Sequence, residues 1–247
     1  MSGFWLKFLA MVTMLADHIG AVFFSQCLPL RLIGRLSFPL FCFSIAEGLS
    51  HTRDRVKYLR RLTVFALLSE VPFDLAFEGT LWNIGYQNVL FTFAAAVLGI
   101  LLYEQPQLIS SWVRKTEKST DTHAYRGADE VVRTFAPVMA VGLAYGLRTD
   151  YDAFGVLLVY LFYFTRRRKT WQRAAIGAAA MSVYGLICGL GEPRHLLFYL
   201  QMWGCAAASM LPVMLYNQKR GPRMKWMFYV FYPFHLLIIG LISIYFV

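Results

Sequence analysis

Apolar runs of about 17–25 residues recur along the whole chain, each long enough to cross about 30 Å of hydrocarbon as an α-helix. Backbone polar groups in lipid must be satisfied within their own segment, and the runs lack the strict alternation of a barrel strand. The composition agrees, because 58% of the 247 residues are hydrophobic and only 15% are charged. The sequence therefore predicts an all-α polytopic membrane protein that forms a single domain over residues 1–247.

Nine membrane spans are predicted, joined by short polar connections. They fall roughly at 4–26, 31–50, 61–78, 88–104, 131–148, 150–166, 172–190, 195–216 and 226–246. Residues 105–130 are the exception, because they are too polar to insert, and they are predicted to form a cytoplasmic polar loop or a short amphipathic helix.

Basic residues concentrate in alternate connections, after the second, fourth, sixth and eighth spans. The positive-inside rule then places the N-terminus in the cytoplasm and the C-terminus outside. This topology accounts for most of the net charge of +10, and the cations do not gather on a soluble face as a nucleic-acid partner would require. The cysteines show no C-x-x-C spacing, so no metal site is predicted.

Ionisable residues interrupt each of the first three spans, beginning with adjacent Asp17 and His18. A charge at that depth costs about 2.5–3.5 kcal/mol, so such residues are rare and usually functional. Arg35 lies at a similar predicted depth in the second span, where it can pair with Asp17 while His18 faces the reactants as a general base. The alternative is a buried ion pair that only fixes helix register.

Two further groups have both a structural and a functional interpretation. Glu47, His51 and the arginines that follow the second span either set topology and anchor lipids or form a cytoplasmic mouth for a polyanionic cofactor such as coenzyme A. Glu70 and Asp74 share a helix face near Pro72, where a kink can open a cavity. His235, near the middle of the last span, is either a packing group or part of that cavity.

Several motifs resemble the TraX family, in order over nearly the whole chain: TMLADHIGAVF, then RLIGRLSFPLF with the H-T-R element, NVLFT, TDYDAFG and FYPFHLL. The resemblance implies an acyltransferase, because the named member acetylates the N-terminal residue of F-type pilin. It also implies a relation to acyltransferase-3 enzymes and heparan-α-glucosaminide N-acetyltransferase, which use cytosolic acyl-CoA. By the resemblance, His18 is the catalytic first-helix histidine and Arg35 the arginine before the F-P-x-F element.

The leading functional prediction is a membrane-embedded acyltransferase that moves an acetyl or other acyl group from acetyl-CoA or another acyl-CoA to an amine or hydroxyl. The acceptor (peptide amine, glycan or small molecule) and the oligomeric state are open, and membrane lipids are expected partners. The predicted catalytic residues are His18, Asp17, Arg35 and Glu70. The predicted cofactor-binding residues are Glu47, His51, Arg53, Arg60, Arg61 and His235. The predicted substrate-binding residues are Asp74, Asn88 and Tyr151.

Two other functions compete with this prediction. In a proton-coupled secondary transporter, Asp17, Glu70 and Asp74 would form a proton relay, although the spans show no clear internal repeat and nine does not divide into equal halves. A non-catalytic assembly or insertion factor would need no polar cluster within the membrane.

Overall fold

A computed structural model describes residues 1–109, 122–222 and 225–246. Within these ranges the helices are joined by turns and short irregular connections, and there is no β-strand; a lone bridge joins Gln87 and Thr149. The helices are α1 (Gly3–Val22), α2 (Leu28–Gly34), α3 (Ser37–Ser50), α4 (Arg55–Phe77), α5 (Val89–Glu104), α6 (Thr122–Gly146), α7 (Asp152–Phe164), α8 (Thr170–Gly191), a 3₁₀ turn (Pro193–His195), α9 (Leu196–Ala208), α10 (Met210–Met214) and α11 (Lys225–Phe246).

The described helices include candidate membrane spans, although they do not establish all nine predicted spans. In the described part of the chain, five stretches are long and apolar enough to cross a membrane: Gly3–Val22, Leu28–Ser50, Thr170–Gly191, Pro193–Met214 and Trp226–Ile244. Val89–Glu104 and Asp152–Phe164 are shorter apolar helices. The number nine and the cytoplasmic N-terminus stay predictions.

Two boundaries differ by more than four residues from those predicted from the sequence. Helix α4 begins at Arg55, six residues before the predicted third span, because the Asp54 carboxylate accepts the Lys57 backbone N–H at 2.9 Å and caps the helix. Residues 122–130 of the predicted polar loop belong to α6. Residues 110–121 of that loop lie outside the described residues.

Helix packing places the first and last helices together. Helix α1 packs against α2, α3 and α11, and α4 packs against α5 and α11. One end of the bundle, which we call the basic end, carries the start of α1, the end of α3 and the start of α4. There the backbone N–H groups of Gly3 and Phe4 donate to the carbonyls of Lys219 and Arg220, at 2.8 and 3.0 Å. Many large apolar side chains stay exposed, as lipid contact requires.

Candidate functional site

A pair of histidines joins the first and last helices. His18 Nδ1 lies 2.8 Å from His235 Nε2, and the two rings are nearly parallel, with centroids 5.0 Å apart. His235 Nδ1 lies 2.7 Å from the Phe231 carbonyl oxygen, one helical turn earlier. Phe77 of α4 meets the His18 ring edge-on at 5.3 Å. The pair is therefore held by three helices.

Asp17 points to the other side of α1 and binds two arginines. Its carboxylate lies 2.8 Å from Arg31 and 3.4 Å from Arg35, and its side chain is only 11% exposed. Adjacent helical residues diverge by about 100°, which is why Asp17 and His18 have different partners. Gly34 makes this approach feasible, because a Cβ there would lie 2.2 Å from the Asp17 Cβ.

Tyr151 connects this ion-pair group to the segment between α6 and α7. Its hydroxyl accepts a 3.2 Å hydrogen bond from Arg35, and its ring stacks on Phe38 at 3.5 Å. Tyr151 has a φ of +64°, a left-handed conformation that is uncommon for a residue with a side chain. Next to it, Asp150 accepts a 2.8 Å hydrogen bond from the Tyr86 hydroxyl.

Glu70, Asp74 and Asn88 lie together and hold the segment between α4 and α5. Glu70 accepts hydrogen bonds from the backbone and side chain of Asn88, the backbone one at 2.9 Å. Asp74 accepts a 2.7 Å hydrogen bond from the backbone N–H of Asn83. Asn88 also caps α5 through Leu90. Each of the three side chains is thus hydrogen-bonded within the protein, whereas the buried Asp74 Oδ1 has no hydrogen-bond partner among the described residues.

A cavity of about 530 Å³ runs from the basic end into the bundle. Around its basic end lie the side chains of Lys7, His51, Arg53, Arg61 and Arg220. Further in, its wall is largely apolar and includes Met14, Phe93 and Tyr232. Tyr232 also touches both histidines, with ring centroids 6.4 Å from His18 and 5.8 Å from His235. One side chain thus separates the cavity from the histidine pair.

The structure places some of the predicted cofactor-binding residues at the cavity and others away from it. Glu47, His51, Arg53 and Arg61 line the cavity, whereas Arg60 and His235 are not among its lining residues. Glu47 is also committed to a buried ion pair with Arg173 at 2.8 Å.

Several residues that shape this region are not among the predicted site residues. Arg31 was recognisable, since it precedes Arg35 by one helical turn. Lys7 was recognisable as a cation inside the first predicted span. Phe231 and Tyr232 carried no sequence signal beyond the aromatic run that contains them, so only tertiary contacts reveal them.

Comparison with known proteins places the chain in a family. The family model described as TraX protein matches residues 2–243. The chain belongs to the TraX family. It is also 28% identical over 258 residues to the probable fimbrial assembly protein FimC, serogroup H1, of Dichelobacter nodosus, with 96% of this chain and 94% of that protein covered. No solved structure matches the chain.

These findings correct the functional prediction. The prediction of an acyl-CoA-dependent acyltransferase with an undefined acceptor is wrong, and so is the alternative prediction of a transporter. The relative is named for fimbrial assembly, and neither match shows acyl-CoA transfer or transport. The transporter was also disfavoured by the missing internal repeat.

Proposed function

We propose that this protein acts in the assembly of pili or fimbriae, as a membrane protein whose histidine pair works on a pilin subunit. The observation that carries the proposal is the TraX match over residues 2–243, together with a fimbrial assembly relative aligned to 96% of the chain. The buried polar cluster supports an active role, since a purely passive scaffold in lipid has no need for such costly groups.

The enzymatic part of the proposal is acetylation of the pilin. The TraX resemblance supports it, and so does His18, whose Nε2 makes no hydrogen bond within the described residues. A general base or a nucleophile needs such a free lone pair. The wider relation to acyltransferase-3 enzymes stays a prediction. The bacterial inner membrane, with the basic end in the cytoplasm, is the proposed location.

The assembly role is tested by deleting the gene in its host bacterium and counting fimbriae by electron microscopy. We expect the deletion strain to lose fimbriae, and the wild-type gene to restore them. His18→Ala should fail to restore them, whereas His195→Ala, which changes an exposed histidine away from the site, should succeed. A deletion strain with a normal number of fimbriae would rule out the assembly role.

The enzymatic part has its own measurement, the intact mass of the major pilin. Pilin from wild-type cells should be one acetyl group heavier than pilin from the deletion strain and from the His18→Ala strain. Equal masses in all strains would remove acetylation from the proposal and leave the assembly role to be judged by the fimbria count.

A further inference from the structure

We propose that His235 is a positioning residue that holds His18 in the tautomer with its proton on Nδ1 and a free lone pair on Nε2. Nothing in the family match or the relative's name assigns a role to this second histidine. The inference concerns the side chain on which the proposed function depends, and it deepens that function. The arrangement of protons follows from two hydrogen bonds and from the location of the pair within the bundle.

The first step fixes the proton on His235. Its Nδ1 lies 2.7 Å from the Phe231 carbonyl oxygen, and a carbonyl oxygen only accepts hydrogen bonds. Nδ1 must therefore carry the proton and donate. A second proton on Nε2 would create an imidazolium in the middle of an apolar helix, at the cost of a charge in the membrane. His235 is 4% exposed, so its Nε2 is left as an acceptor.

The second step locates the proton on His18 from the position of the proton on His235. The only described partner of His18 Nδ1 is His235 Nε2, at 2.8 Å, and an acceptor there requires that His18 Nδ1 donate. A neutral imidazole has one N–H, so the lone pair of His18 falls on Nε2. A protonated His18 is disfavoured because it would add a third positive charge beside Arg31 and Arg35, next to the single negative charge of Asp17.

The third step is the rigidity of the arrangement. The ring planes of Phe231, His235 and His18 are nearly parallel, with successive centroids 4.6 and 5.0 Å apart and interplanar angles of 14° and 10°. Phe77 meets the His18 ring edge-on. The ring planes are thereby fixed, so the proton arrangement and the direction of the free lone pair are fixed together.

The tautomer is measured directly by nitrogen NMR of the purified, 15N-histidine-labelled protein in detergent, with His18→Gln to assign the His18 signals. We expect wild-type His18 to carry its proton on Nδ1. In His235→Leu the acceptor is lost, so the proton should move partly or wholly to Nε2. In His235→Gln the amide oxygen replaces the ring Nε2 as acceptor, so Nδ1 should keep the proton. A proton on Nε2 in the wild-type protein, or an unchanged tautomer in His235→Leu, would overturn the proposal.

Pilin acetylation supplies a second readout that separates positioning from packing. Loss of a group that orients a functional histidine typically costs about 10–100-fold, so His235→Leu should lower the acetylation rate by about that factor. His235→Gln should recover most of it, and His195→Leu, the same change at an exposed histidine away from the site, serves as the control. A packing role predicts the reverse order, because leucine fits an apolar site better than glutamine, and that order would refute positioning.

The two proposals fail separately. If wild-type pilin carries no acetyl group, the enzymatic function fails, while the NMR spectra still decide the tautomer. If pilin is acetylated and the spectra place the proton on Nε2, the positioning role fails and the proposed function stands.

Discussion

Asp17→Asn is the substitution that most directly tests the ion-pair group beside the histidines. It preserves the size of the side chain and removes the negative charge shared by Arg31 and Arg35, at 2.8 and 3.4 Å. The asparagine amide would retain one oxygen able to accept a hydrogen bond. The charges of both arginines would then lack a counter-ion among the groups that now touch them.

The expected cost follows from how far those arginines are buried. Removing one partner of a buried ion pair costs about 3–5 kcal/mol. The arginine side chains keep exposed fractions of 30% and 19%, so water or lipid headgroups can screen part of the charge. We therefore expect the lower end of that range, about 3 kcal/mol. For a chain of this size, each kcal/mol shifts Tm by about 2–4 °C, so Tm should fall by about 6–12 °C.

The assay is thermal unfolding of the detergent-purified protein, followed by circular dichroism. Asp54→Asn is the matched control, because Asp54 makes the same kind of contact at the surface, 3.1 Å from Lys57, with side chains 48% and 64% exposed. Hydrogen bonds from Lys57 lower the pKa of Asp54, so the control also removes a real charge at neutral pH. Asparagine still caps α4, and Tm should stay close to that of wild type. An Asp17→Asn shift no larger than the control's would refute the reasoning.

Three further predictions test the packing and topology. Gly34→Ala would place a Cβ 2.2 Å from the Asp17 Cβ, so we expect about 1–3 kcal/mol of destabilisation; an unchanged Tm would show that α2 can move away freely. Glu47→Gln removes the charge that pairs with Arg173, whose side chain is 5% exposed, and should cost about 3–5 kcal/mol; a Tm equal to that of wild type would argue against a buried pair. Reporter fusions placed after α1 and after α3 should report opposite sides of the membrane, with the α3 fusion cytoplasmic; the same side for both would exclude the predicted topology.

The class of fold followed from the sequence because lipid imposes one simple requirement. A long apolar segment must satisfy its backbone hydrogen bonds internally, so each run had to be helical whatever its neighbours were. The expectation that Asp17 and Arg35 can pair also came from the sequence, since depth in a membrane helix scales with sequence position at about 1.5 Å per residue. Membership of the TraX family could also be predicted from the sequence, because the order of the motifs is a property of the chain and does not depend on helix packing.

Helix neighbours and side-chain partners were decided by the tertiary structure. His18 and His235 are separated by 217 positions, and a histidine near the middle of an apolar helix gives no sign of which face meets which helix. Arg31 of α2 also pairs with Asp17 of α1, whereas the sequence showed only that Arg31 lies one helical turn from Arg35. Hydrophobicity sets the position of each helix along the membrane normal. The rotation of each helix about its own axis and the choice of its neighbours are set by the packing of all helices at once. That packing alone creates the histidine pair, the aromatic contacts around it and the cavity whose wall includes Tyr232.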